Sequence, residues 1–258
     1  LAARLAHELR VKSLHDSGMH GRPRLRHDWL TSSGSSPSTI VALFHGLGGS
    51  RKELRPLAER WLPALPSTAF LLLEAPDRDY HGRELLNGEW SGDWYPFPKL
   101  RSAFDDDGSY ESMVEQCVSD RCDHVSSELD HHLESVGLGN DRLILAGFSQ
   151  GAAISAYTGL RRGCLGVLPM GGPCPPRERL LPPNDKTRIC AIVGDADHCV
   201  PHEEIRQGFA KYVFTAADGA IEQNVHVVPG GIHEALSEEN VRIGLAFLRS
   251  CVSGVQSH

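Results

Sequence analysis

The chain alternates between short apolar runs and longer segments in which apolar residues return every three or four positions. The runs TIVALF (39–44), TAFLLLEAP (68–76), DRLILAGF (141–148), GCLGVLPMG (163–171), TRICAIVGD (187–195) and NVHVVPGG (224–231) are almost continuous in apolar character. A strand with one wet face alternates apolar and polar residues, whereas a continuous run has both faces covered. Helical spacing occupies the intervals, most clearly at about 109–136, 150–161, 202–214 and 234–251. Strand followed by helix, repeated, predicts a mostly parallel sheet with helices on both faces, an α/β fold.

The start of the chain reads differently. Leu1, Leu5 and Leu9 recur at near-helical spacing with basic residues between them, which predicts a short peripheral helix over 1–16. RLRHDWL, TSSGSSPS and TIVALFHG then read as strand, polar turn and strand. Residues 1–37 are therefore expected to form a peripheral helix and a lead-in strand, and 38–258 a single domain, because no repeat or low-complexity linker divides them. One stretch interrupts the alternation. Residues 76–108 lack strand or helix patterning yet carry Tyr80, Trp90, Trp94, Tyr95, Phe97 and Phe104. A structureless segment of that length in a compact domain is commonly a lid or a binding loop, and that role is expected here.

Bulk properties narrow the partners. The 258 residues carry a formal net charge of −7, with 23% charged and 40% hydrophobic residues. A nucleic-acid binder concentrates Lys and Arg on one face, so nucleic acid is not expected. No apolar run approaches the roughly 20 residues that span a bilayer. Seven cysteines, an odd number with no CxxC pair, fit reduced thiols and a cytoplasmic setting better than a disulfide framework. The chain begins at Leu1, which leaves an upstream targeting segment open.

The segment LILAGFSQGAAISAY (143–157) carries the chemistry. Gly147-Phe148-Ser149-Gln150-Gly151 is a G-x-S-x-G pentapeptide between a strand-like and a helix-like run. That context is what a serine needs to stand in a sharp strand-to-helix turn with its hydroxyl outward. Small neighbours let the turn close, and the free N–H groups at the helix start favour a nearby oxyanion. A serine hydroxyl needs a base, and the base an orienting acid, in the chain order Ser, Asp or Glu, His. The run RICAIVG leads into DADHCVP, offering Asp195 and Asp197. Asp195 directly follows the glycine and is expected to stay in the turn, while Asp197 reaches over the strand ends. His233 follows the last strand and is the expected base; His226 lies within a strand and His258 at the terminus. Oxyanion donors are expected from the backbone N–H of Gln150 and of Leu47 in FHGLGGS. GLGGS is a poor phosphate loop because no Lys-Ser/Thr pair follows it. His124, Glu128 and His131 share a helix face and HEEIR (202–206) lacks a second His, so no metal site and no cofactor are expected.

These motifs together resemble the α/β-hydrolase phospholipase/carboxylesterase family, which includes acyl-protein thioesterases and lysophospholipases. The resemblance runs from about Thr39 to Cys251. LFHGLGGS is similar to that family's LHGLGD loop, and ILAGFSQGAAIS to its nucleophile segment. GDADHCVP resembles a G-D-x-D-P-x-V-P acid loop, which assigns the acid to Asp197, and GGIHEALSEE resembles the G-x-x-H base segment. The chain departs from the pattern at Gly49, at His198, and at DWYPF where WFD is usual. The resemblance implies an α/β-hydrolase fold and a serine hydrolase with Ser149, Asp197 and His233 as triad. Trp94 and Tyr95 are expected to bind substrate beside the acyl channel. The implied substrates are acyl esters or thioesters, including S-acylated proteins and lysophospholipids, and a monomer or weak homodimer is expected. Two other readings are a carboxylesterase for small soluble esters and a non-catalytic ligand receptor of the same fold.

Overall fold

The computed structural model describes residues 24–32, 36–76, 92–95, 109–173, 187–209 and 225–255. Its centre is an eight-stranded sheet: β1 (His27–Thr31), β2 (Thr39–Phe44), β3 (Thr68–Leu73), β4 (Leu143–Phe148), β5 (Gly166–Met170), β6 (Arg188–Ile189), β7 (Ala191–Gly194) and β8 (Val225–Val228). The order is β1-β3-β2-β4-β5-β7-β8, with β6 also pairing with β5. Only β1 runs antiparallel, with Trp29 opposite Leu71. It pairs with β3 and not with β2, its neighbour in sequence, so the polar turn joins two strands that do not touch. The run TRICAIVGD is one segment interrupted at Cys190, giving β6 and β7.

Both faces of the sheet are covered, as continuous apolar strands require. On β2, Ile40, Ala42 and Phe44 face one core, while Val41 and Leu43 face the other. The first core contains Val125, Leu129 and Leu133 of α2 (Ser109–Val136) and Ile154, Ala156 and Leu160 of α3 (Gln150–Arg162). Ile205 and Phe209 of α4 (His202–Phe209) join it. The second packs Leu57 and Trp61 of α1 (Arg55–Trp61) against Phe247 and Leu248 of α5 (Glu238–Val255). Trp61 Nε1 donates to Val241 O at 2.9 Å, so the indole N–H is satisfied inside that core.

Three boundaries bear on function. The helix expected from 234 begins at Glu238, because Ser237 caps it: its hydroxyl accepts the Asn240 amide at 3.2 Å. Residues 229–237 are thereby kept as a loop around His233. Of the helix expected over 202–214, residues 202–209 are helical and the remainder lie outside the described residues. The peripheral helix over 1–16 and the expected lid over 76–108, apart from residues 76 and 92–95, also lie outside them. Among the described residues no helix is long and apolar enough to cross a membrane.

Candidate active site

Strand order reverses between β2 and β4: β3 lies on one side of β2, and β5 to β8 lie on the far side of β4. Ligands of open parallel sheets bind outside the carboxyl ends of strands at such a switch point. There, Ser149 follows β4 and opens α3 with φ 54° and ψ −116°. It is the one non-glycine residue with positive φ among the described residues, a conformation that costs on the order of 1–3 kcal/mol. The flanking glycines follow from sterics. A Cβ on Gly147 would stand 2.1 Å from the Gly151 carbonyl oxygen, and one on Gly151 would stand 2.1 Å from that of Phe44. The turn closes only with hydrogen at both positions.

The expected partners meet this serine. His233 Nε2 lies 3.0 Å from Ser149 Oγ, and His233 Nδ1 lies 2.7 Å from Asp197 Oδ2. Asp197 Oδ1 accepts the amides of Cys199 (2.8 Å) and Val200 (3.1 Å). Burial alone would raise the Asp197 pKa, but the hydrogen bonds from His233, Val200 and Cys199 outweigh it and hold the carboxyl below its ordinary range. Asp195 stays in the turn, accepting Gly230 N–H at 2.6 Å. The acid and base loops are also bound to each other. Ala196 N donates to Gly231 O at 3.0 Å, and a Cβ on Gly194 would meet that same oxygen at 2.0 Å.

The loop that carries Leu47 passes close to the serine. A Cβ built on Gly46 would be 3.5 Å from Ser149 Cβ, so the loop after β2 runs directly beside the serine. Within that loop Gly46 N donates to Glu53 Oε2 (3.3 Å), Gly48 N to Asp93 Oδ1 (2.8 Å) and Gly49 N to Gly46 O (3.1 Å). The amides of Leu47 and Gln150 have no acceptor among the described residues. The Glu53 carboxylate packs against Gly49, where a Cβ would lie 1.9 Å from Glu53 Oε2. Burial raises the Glu53 pKa, opposed by the Gly46 amide and by His233.

Trp94 and Tyr95 are the residues expected to bind substrate beside the acyl channel. Both are buried, Trp94 with no exposed surface, because the indole N–H finds its acceptor at His45 O (2.9 Å) underneath the loop. The ring packs at 5.3 Å from Phe44 and 5.2 Å from His45, centroid to centroid. Around it, residues 92–95 join three parts of the site. Gly92 N donates to Gly49 O at 3.0 Å, and Arg121 Nε donates to Trp94 O at 2.9 Å. The Gln150 side chain accepts Trp94 N–H at 3.0 Å and donates to Tyr95 O at 2.8 Å. Gln150 thus uses its side chain to hold the neighbouring loop.

His45 was not singled out by sequence reasoning. Its Nδ1–H donates to Gly46 O at 2.8 Å and its Nε2 accepts Ala75 N–H at 3.0 Å, which defines a neutral ring. Complete burial pushes its pKa down to about 4. The missed residues His45, Glu53, Asp93 and Arg121 act through bonds between distant segments, which leave no spacing signature along the chain.

Residues 26–252 match the Phospholipase/Carboxylesterase family. The chain is 28% identical over 233 residues to acyl-protein thioesterase 1 of Mycosarcoma maydis, covering 85% of this chain and 94% of that protein. It is 23% identical over 193 residues to acyl-protein thioesterase 1 homolog 1 of Dictyostelium discoideum, covering 69% and 77%. Among solved structures it resembles esterase PE8, with a TM-score of 0.68 at 23% identity over 89% of this chain and all of that one. With the elbow, the mixed sheet and 227 residues matched end to end, the chain belongs to the phospholipase/carboxylesterase family of α/β-hydrolases, a hydrolase of the esterase/thioesterase type.

Proposed function

We propose that Ser149, His233 and Asp197 hydrolyse acyl esters or thioesters through an acyl-enzyme. The observation that carries this reading is the unbroken hydrogen-bond path that starts at the strained elbow, at Ser149 Oγ, and runs through His233 to Asp197. With Nδ1–H donated to Asp197, the lone pair of Nε2 faces the Ser149 hydroxyl, the tautomer a general base requires. Ser149 Oγ attacks the acyl carbon as Nε2 takes its proton. The Leu47 and Gln150 amides hold the oxygen that becomes negative, in a setting where their dipoles need no reorientation. The leaving alcohol or thiol takes the proton from Nε2, and water repeats the sequence to release the acid.

The substrate side is read from the mouth of the site. Leu47, Ile232 and Leu236 are three of the four large hydrophobic side chains described as exposed, and each lies within three residues of a member of the site. Exposed apolar side chains next to the site's residues in the chain suit an acyl chain better than a small polar ester, and the curated relatives are acyl-protein thioesterases by name. S-acylated cysteines of proteins and lysophospholipids are therefore the favoured substrate classes. Labelling by a fluorophosphonate probe, lost in Ser149→Ala, tests the nucleophile; labelling retained in that variant would sink the assignment and absence in the wild type would favour a receptor. For the substrate, kcat/KM is measured on thioesters of two to twelve carbons below their micelle concentrations. Each methylene moved from water contributes up to about 0.8 kcal/mol, so four should add roughly a hundredfold. A fall beyond four carbons would instead mark a small-ester carboxylesterase.

A further inference from the structure

The side chain of Cys199 stands beside the Asp197–His233 pair. One carboxylate oxygen of Asp197, Cys199 Sγ and one ring nitrogen of His233 all lie within 4.8 Å of one another, and among the described residues this is the one such grouping of His, Cys, Asp or Glu. The same turn fixes carboxylate and thiol, because the Cys199 amide donates to Asp197 Oδ1 at 2.8 Å. Cys199 is also exposed, whereas Cys122, Cys164, Cys190 and Cys251 are buried. Hydrolysis as derived above gives this thiol no task.

Thiolate, imidazole and carboxylate are the donors zinc accepts in tetrahedral sites, here three with a fourth position left to water. Asp197 Oδ2 faces Nδ1 at 2.7 Å, so a cation sharing that carboxylate enters along the Nδ1 edge of the ring. Metal bonds of about 2.0–2.2 Å at tetrahedral angles put N and O roughly 3.3 Å apart, so the pair must part by several tenths of an ångström. His233 lies on a loop, with its side chain 20% exposed, which allows that shift. We propose that Asp197, Cys199 and His233 form an inhibitory binding site for a zinc-class divalent cation.

The chemistry of inhibition follows from protons. The Cys199 thiol releases its proton to solvent as the sulfur–metal bond forms. The cation displaces the Nδ1 proton, and a neutral ring must then carry its proton on Nε2. That N–H points at Ser149 Oγ and has no lone pair with which to accept the hydroxyl proton. Asp197 is at the same time drawn from orienting the ring to ligating the metal. Both losses act on the same step, so occupancy and activity should exclude each other.

Two measurements test the site. Zinc is titrated against hydrolysis of a short soluble ester by the wild type and Cys199→Ser, each referred to its own metal-free rate. Loss of a ligand should weaken inhibition at least about tenfold. Equal inhibition of the two, or none in the wild type, would overturn the proposal, since zinc on His233 alone needs no thiol. Cobalt(II) is then added to the wild type, Cys199→Ser and Ser149→Ala. A thiolate-to-cobalt charge-transfer band should appear in the wild type and Ser149→Ala but not in Cys199→Ser, and its absence from all three would likewise overturn the site. The rate measurement rests on His233 being the base, whereas the cobalt band does not, so failure of the catalytic reading and failure of the metal site give different results.

Discussion

The side-chain amide of Gln150 grips the backbone of Trp94 and its neighbour, accepting from one residue at 3.0 Å and donating to the next at 2.8 Å. The residue whose backbone amide is assigned to the oxyanion therefore also fixes residues 94–95 of the neighbouring loop. Gln150→Ala leaves the backbone amide in place but orphans a buried N–H and a buried carbonyl, at about 1–3 kcal/mol each. We expect a lower unfolding free energy and a kcat reduced about tenfold or more, with KM little changed. Gln150→Glu keeps the acceptor and loses the donor, and should fall between the two. Steady-state kinetics with urea unfolding of the three proteins checks the order; a change confined to KM would refute it.

Ser149 holds a backbone conformation that suits glycine. Ser149→Gly and Ser149→Ala should both lack activity, but the glycine variant should be the more stable by about 1 kcal/mol or more. Glycine is preferred over alanine at any N-cap, and the positive φ should widen that gap. Thermal unfolding of the pair checks this, and an alanine variant as stable as the glycine variant would count against the strain.

Asp195 and Asp197 are separated by one residue and by role. Asp197→Asn should lower kcat by about three to four orders of magnitude, because an amide favours the wrong tautomer of His233. Asp195→Asn weakens the bond to Gly230 N–H and should act on stability, with kcat within about tenfold of the wild type. Reversed kinetic losses would exchange the two assignments.

Stability should decline with acidity over a defined window. His45 is neutral in the fold down to about pH 4, whereas in the unfolded chain it binds a proton near the ordinary 6.5. As the pH falls through that interval the unfolded chain holds the extra proton, so folding weakens; above 6.5 the two states agree. At about 1.4 kcal/mol per pH unit the loss is on the order of 3 kcal/mol. His132 is lowered to about 4 as well, by burial first and then by His27, Arg24 and His131, and adds in the same direction. Urea midpoints at pH 7, 5.5 and 4.5 should fall for the wild type and fall less for His132→Gln. A flat profile for the wild type would show that these rings are not held neutral.

Local chemistry was readable in the chain wherever one residue type had to occupy one place. The two glycines around Ser149 are such positions, and so are the strands, whose unbroken apolar runs leave no wet face. Asp197 and His233 could be picked from their neighbours by position after a strand. What escaped was the cross-bracing. The interval from His45 to Trp94, or from Gln150 to Tyr95, has no periodicity to detect, because tertiary approach and not sequence distance brings those atoms together. The bonds of Trp94 escaped for the same reason. An aromatic residue in a long unpatterned loop gives no sign of where its N–H finds an acceptor, and here that acceptor is His45 O in the interior.

The contact between Gly194 and Gly231 makes two loops into one mechanical part. Neither backbone can shift outward alone without stranding the Ala196–Gly231 bond, nor inward without collision. The segments following β7 and β8 should therefore exchange amide protons with a common opening energy. Exchanging the acid loop with that of a relative would have to carry the base loop with it, and a single insertion between Asp195 and Pro201 would be felt at His233. Variation in this part of the molecule is expected to travel in pairs.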